Sequence, residues 1–332
     1  MGFPSLFGQA GTDSKYGPKY AAYIDSIKNS EYTWKLPIWG KKVSKRGIDL
    51  PYNAGIMLNT YIGSQKILIS DLKVGVNGKD PVPLDFIKFG EVKAKIQNIT
   101  VRPDIWLLPF LGVYAIAGGT FAQTNVKVTA PFNFTTEAEF TGKTFGLGTT
   151  LAGGYHDMIL IVDLNHTWTT MENISGTIQS TMLDSRVGMN FLLNKPATSA
   201  AFWIGGMGIF INRTTEGTID LSDLTSNSSR PELDGIVNET TVWYQQLAAP
   251  QKEVVKYLAQ KTIDKRSGVD VEGTTISYFL IKKPTSNWSM VVGGQYQFSH
   301  RRQVRTELGF LGGRESVLLS ANYRFRILKS KK

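Results

Sequence analysis

Long runs of strict alternation, repeated along most of the chain, constrain this sequence more than any other feature. In 288–298, Trp288, Met290, Val292, Gly294, Tyr296 and Phe298 share one parity, and Ser289, Val291, Gly293, Gln295 and Gln297 share the other. In 303–310, Val304, Thr306, Leu308 and Phe310 oppose Gln303, Arg305, Glu307 and Gly309. In 315–325, Val317, Leu319, Ala321, Tyr323 and Phe325 oppose Ser316, Leu318, Ser320, Asn322 and Arg324. Successive side chains of a strand point to opposite faces, so each run is a ribbon with an apolar face, marked by aromatics, and a wet face. One such strand suits a soluble sandwich as well as a membrane barrel. Length and repetition separate the two. The runs reach about ten residues or more, the length a tilted strand needs to cross hydrocarbon, whereas globular strands centre on about five or six.

The same frame recurs in 144–155 (Phe145, Leu147, Leu151 and Tyr155 on the apolar face), 158–169 (Leu160, Val162, Leu164 and Trp168) and 186–191 (Val187, Met189 and Phe191). Strands are expected at 53–62, 65–76, 87–100, 104–117, 119–133, 140–154, 157–170, 177–192, 199–212, 287–299, 302–311 and 315–328. Tight turns at Tyr155–Asp157, His300–Arg301 and Gly312–Arg314 link several of them. Ala117-Gly118-Gly119 reads as another turn. The expected fold is all-β: an antiparallel up-and-down transmembrane β-barrel of about 12 strands, closed because lipid tolerates no unpaired strand edge. Met290, Val304, Leu308, Phe310, Leu319 and Tyr323 should face lipid.

Three segments fall outside this pattern. Residues 1–50 read as a periplasmic extension or plug, with a short helix over 15–29 and an extended piece at 34–39. Residues 213–286 read as one long extracellular loop, dispensable for the barrel at 51–328. It holds polar turns at 225–231 and a helix at about 250–264, opened by Pro250 at a position where proline is tolerated. Residues 329–332 form a basic tail. The N-terminus carries neither a basic stretch nor an apolar core of a leader, so an exported chain is expected to have had its signal peptide removed.

Composition narrows the classes. No run of about 18 uncharged apolar residues exists, which argues against membrane helices. There is no cysteine, hence no disulfide framework and no thiolate metal site. The formal charge of +10 is spread over short pieces: Lys41-Lys42 with Lys45-Arg46, Arg301-Arg302, and 329–332. Without a clustered reading element this points to anionic lipid head groups rather than nucleic acid. Asn-x-Ser/Thr occurs at Asn98, Asn133, Asn165, Asn173, Asn212, Asn238 and Asn287. Residues two apart share a strand face, so Asn165 with Thr167 reads as a wet lumen stripe.

The candidate functional residues are the charges in the inward frame: Asp163, Arg186, Arg305, Glu307 and Arg324. They could fill a narrow lumen with ion pairs or set the selectivity of a pore. The balance leans to a narrow, partly filled lumen. Of the three histidines, His156 and His300 fall in turns and His166 in the lipid-facing frame. None has a serine motif beside it, and no catalytic residue, metal or cofactor is expected.

The stretch Val101-Arg-Pro-Asp-Ile-Trp-Leu-Leu-Pro-Phe-Leu-Gly-Val-Tyr114 resembles a segment of largely uncharacterised Gram-negative outer-membrane β-barrel proteins. Thr144–Tyr155, Arg186–Asn190, Phe202–Gly206 and Trp288–Phe325 carry the same resemblance, which covers about residues 50–328. Such chains end on their last aromatic, whereas here Arg326–Lys332 follow Phe325. The resemblance implies an outer-membrane barrel and brings no established activity. Three functions are compatible with it. The first is a channel or transporter for small solutes or lipophilic compounds. The second is a non-transporting barrel that scaffolds a complex. The third is a membrane-embedded lipid hydrolase. Expected partners are outer-membrane lipids, lipopolysaccharide and other envelope proteins, with no nucleic acid.

Overall fold

The computed structural model describes residues 18–76, 78–130, 134–172, 174–193, 195–212, 214–220, 242–266 and 275–330. The turns expected at 225–231 and the positions Asn133, Asn173 and Asn238 lie outside them. Ten strands close into one antiparallel barrel: β1 (Ala54–Val76), β3 (Lys88–Leu108), β4 (Leu111–Ala130), β5 (Phe134–Tyr155), β6 (Met158–Met171), β8 (Thr177–Leu192), β9 (Ser199–Ile211), β12 (Trp288–Gln297), β13 (Arg302–Phe310) and β14 (Arg314–Phe325). Closure runs from Ala54↔Phe325 to Gln65↔Arg314, so neither edge is left unpaired. Four shorter strands join the sheet: β2 (Val82–Pro83), β7 (Ile174–Ser175), β10 (Thr214–Asp220) and β11 (Thr275–Pro284).

The barrel has ten strands, not twelve, because five expected segments are three long strands. The runs 53–62 and 65–76 are the single 23-residue β1. The runs 87–100, 104–117 and 119–133 are β3 and β4, of 21 and 20 residues, turning at Pro109–Phe110. Ala117-Gly118-Gly119 lies inside β4. The misleading signal is Pro103. A proline removes one ladder donor without ending the strand. The ladder to β1 continues through Ile56↔Pro103, whereas the ladder to β4 skips 102–103 between Val101↔Ala117 and Asp104↔Tyr114.

Above the hairpin of β13 and β14 the ring narrows. The β8–β9 ladder ends at Ser180↔Ile211, and β7 with β10 continues it in the same register at Ser175↔Glu216. β10 pairs β11, and β11 pairs the upper half of β1 from Ile67↔Pro284 to Val76↔Ile276. Lys66 is the exchange point. Its N–H donates to the Gly313 carbonyl at the hairpin tip (2.8 Å), and its carbonyl accepts from Thr285 N–H (3.1 Å). Eight strands therefore form a collar on the ten-stranded barrel, with a smaller bore because diameter grows with strand number. Residues 213–286 are thus not only loop, since β10 and β11 are part of the collar wall. The helix Ala249–Arg266 packs Val254 against Val74, Val76 and Ile276, which face inward, and so lies over the collar mouth.

The outer wall is apolar between two aromatic girdles. Phe121, Phe145, Trp168, Phe210, Trp288 and Phe310 mark the upper one. Tyr155, Phe191, Phe202, Tyr296, Phe298 and Tyr323 mark the lower. Met290, Val304, Leu308 and Leu319 are exposed between them. Phe202 and Phe210 stand eight residues apart on one strand, about 20–25 Å of height for a tilted strand, the size of a membrane barrel's apolar band. Above the upper girdle the outward frame turns polar, with Lys93, Lys95, Gln123, Lys127, Glu139 and Lys143.

The first and last described segments meet at the end with the short turns. The helix Pro18–Asn29 buries Tyr20 and Ile24. A turn closes the stretch 34–39 expected to be extended, and the short helix Gly40–Ser44 follows it. Asn53, buried, donates from Nδ2 to the carbonyls of Leu36 (3.2 Å) and Ile327 (3.0 Å) and accepts from Ile327 N–H (3.0 Å). Tyr23 donates to Asp49 Oδ2 (2.7 Å), and His300 Nε2, in the β12–β13 turn, lies 2.8 Å from the same oxygen. Burial, and then the Asp49 carboxylate, push the Tyr23 hydroxyl well above the usual phenol range, so it stays a donor.

Candidate functional site: the barrel interior

At the short-turn end the inward frame is mixed, with Asn190, Gln295, Gln297, Gln303 and Asn322 buried beside an apolar cluster. Met57, Trp106, Ile159, Ile161, Ala201 and Trp203 form one buried cluster across the lumen. The Trp203 ring lies flat against Gly293, where any Cβ would come within 2.7 Å of its Nε1. A glycine there lets the indole turn inward. Beside this floor Arg324 pairs with Asp104 (Nη2–Oδ1, 2.9 Å) and donates from Nε to the Tyr52 carbonyl (2.9 Å).

Over the floor lies a lattice of charge. Asp163 and Asp184 stand directly opposite each other on β6 and β8, an arrangement that is destabilising alone. Arg186, two residues along from Asp184 and so on the same face, bonds both. Its Nη1 reaches Asp163 Oδ2 at 2.8 Å, and its Nη2 donates to Asp184 Oδ2. Its Nε donates across the lumen to Glu307 Oε2 (2.7 Å). That oxygen also accepts from Arg305 Nη2 (2.8 Å) and from Trp203 Nε1 (2.8 Å). Thr150 donates to Asp163 Oδ1 (2.7 Å), and Arg102 lies 3.5 Å from that atom. The Arg102 guanidinium stacks on the Tyr114 ring at 3.3 Å. The five-donor fork of arginine suits this role, since one side chain satisfies several acceptors at fixed angles.

Asp163, Arg186, Arg305, Glu307 and Arg324 are all buried inside the barrel. The first four meet in one lattice, and Arg324 belongs to the separate pair with Asp104. Sequence reasoning missed Arg102, Asp104, Asp184, Tyr114 and Trp203. The signal for Asp184 was its parity with Arg186. Arg102 and Asp104 were hidden by the strand break placed at Pro103. His166 stands beside Trp168 (4.6 Å between rings) with its Nδ1 2.8 Å from Thr181 Oγ1. Among the described residues no serine hydroxyl is bonded to a histidine, and no group of three or more His, Asp and Glu side chains is placed to hold a metal.

Inside the collar the interior differs. Ile69, Ile96, Val126, Tyr278, Leu280 and Lys282 are half-buried inward side chains at its base, while Val74, Val76, Val92, Val128, Phe140 and Ile276 around them are buried. In the lattice, by contrast, Asp163, Asp184 and Arg186 retain 1%, 0% and 3% of their surface. The interior is thus a mostly apolar upper chamber, partly accessible at Ile69, Ile96, Val126, Leu280 and Lys282, above a closed polar layer and a floor of mixed apolar and polar side chains. The chamber has a partial lid in the helix Ala249–Arg266.

No family model matches the chain, and no curated protein matches it in sequence. Among solved structures it is similar to the β domain of the Bordetella autotransporter BrkA, at 9% identity and a TM-score of 0.38 over 82% of this chain and 100% of that one. It is also similar to the outer membrane protein OprG from Pseudomonas aeruginosa, at 11% identity and a TM-score of 0.38 over 83% and 98%. A third is the CymD monoaromatic hydrocarbon channel, at 8% identity and a TM-score of 0.30 over 91% and 97%. Likeness this loose says nothing about a cargo.

Proposed function

We propose that the chain is an integral β-barrel of the bacterial outer membrane that conducts small solutes or lipophilic compounds through a narrow interior, closed here by the lattice and the floor. The carrying observation is the division of the interior. A barrel filled only for stability has no need of a partly accessible chamber on one side of a sealed layer, whereas a regulated passage does. Short turns and both described ends at one rim support a periplasmic orientation of that rim. The collar then faces outward. Lys66 and Lys93 stand directly opposite each other on its outer surface with Lys95 beside them; Glu91 pairs with Lys66 at 3.7 Å, and the remaining positive charge suits an anionic head group. This supports contact with lipopolysaccharide.

Planar-bilayer recording tests the reading. The native chain should give small, intermittent conductance, and Glu307→Gln, which loosens the lattice, should raise it. Large steady conductance from the native chain would mean an open pore. Silence from both would favour the scaffold reading, which has one observation of its own: Ile38 and Trp39 at the short-turn rim are 53% and 57% exposed, a surface a partner could cover.

A further inference from the structure

Among the described residues of the upper chamber, Lys282 stands out as a charge that packing does not explain. β11 sends Ile276, Tyr278, Leu280 and Lys282 inward, and Lys282 is in register with the inward Ile69. Its ammonium lies 5.8 Å from the centre of the Phe140 ring, on the opposite wall of the collar. Nearby charges, among them Lys93, Lys95, Lys127, Glu139 and Lys143, occupy the outward frame. Among the described residues no carboxylate lies within ion-pair distance of Lys282, and burial is what acts on it. A cation drawn into apolar surroundings is costly unless paired, and one cation–π contact returns only part of that cost. The arginines and aspartates of the lower interior named above each have an oppositely charged partner, on their own strand or another. Lys282 faces aliphatic and aromatic side chains instead.

We propose that the collar chamber binds a lipophilic carboxylate, its carboxylate on Lys282 and its apolar body along Ile69, Ile96, Val126 and Leu280. This deepens the reading of the interior as a route for solutes and rests on it for its biological sense. A neutral apolar molecule would leave the ammonium unpaired. A small inorganic anion would pair it and leave the wall wet. An apolar body carrying one carboxylate satisfies both, and charge-assisted hydrogen bonds are the stronger kind.

The test is equilibrium binding of dodecanoate and dodecanol to the full chain in amphipol, with inorganic phosphate as competitor. Dodecanoate should bind about tenfold or more tightly than dodecanol, and phosphate should not displace it. Lys282→Met should remove that preference while leaving dodecanol binding within about twofold, and Lys282→Arg should keep it. Phe140→Ala should weaken both ligands. Equal affinities in the native chain, or unchanged dodecanoate binding in Lys282→Met, would overturn the proposal. Should Lys282→Met not fold, loss of the preference in Lys282→Gln decides the matter. Binding with this pattern but no solute flux in liposomes would leave this site standing and sink the channel reading. Flux without the pattern would do the reverse.

Discussion

Arg186 touches three carboxylates with one guanidinium, and two of those acids sit opposite each other on adjoining strands. The lattice therefore stands or falls with it. Removing one partner of a buried ion pair leaves uncompensated charge, so Arg186→Leu should lower stability by about 3–5 kcal/mol. Urea unfolding from lipid vesicles measures this. A loss under about 1 kcal/mol would mean that water reaches the acids and that the layer is not sealed. Parity alone places these groups in the interior. The choice of partners rests on diameter, because only a narrow ring lets Glu307 of β13 reach Arg186 of β8 past the two strands between them.

Two elements carry contacts whose strength can be separated. The N-terminal segment is held by Asn53 and by the Tyr23–Asp49–His300 cluster, at neighbouring points of the same rim. Asn53→Ala with His300→Ala should speed tryptic cleavage at Lys28 and Lys41–Lys45 while the barrel keeps its compact migration in unheated gels. Unchanged cleavage would show that the segment is held by Ile48, Leu50 and their apolar neighbours instead. The collar is the second case. Deleting 221–274 removes the lid helix and leaves β10 and β11, so the barrel should still insert. Deleting 214–284 strips the upper half of β1 of its closing partner from Ile67 to Val76 and should produce aggregation, since an unpaired edge invites pairing with another chain. If both deletions behave alike, the collar ladder does not contribute to assembly.

For the whole molecule, the inverted polarity sets where the bilayer lies. Spin labels at Leu164, Val304, Leu308 and Leu319 should collide with oxygen and avoid a polar relaxant, whereas labels at Lys95, Lys127 and Glu139 should do the opposite. The crossover should fall at Phe121, Phe145 and Trp288. Water-like signals at Leu308 and Leu319 would contradict membrane insertion. The long strands β1, β3, β4 and β5 overshoot the apolar belt, so the collar stands clear of the lipid and its outer surface is free to carry lysines and glutamates.

The sequence alone determined what is local. Strand identity, the facing of each side chain and the membrane-like outer belt follow from a period of two, which backbone geometry imposes without reference to any partner. Tyr20 and Ile24, at helical spacing, likewise marked the N-terminal helix. Tertiary structure decided what depends on register and closure. Pro103 reads as a break along the chain, and only its two neighbouring strands show that a ladder on one side carries β3 through it. Nothing in 213–286 announces that β10 and β11 will complete a collar, because their other partners lie on β7 and β1, far away along the chain. The same holds for Arg186 with Glu307 and for Lys282 with Phe140 across the collar. Which charges meet is a property of the bore, and the bore exists only once β14 has closed on β1.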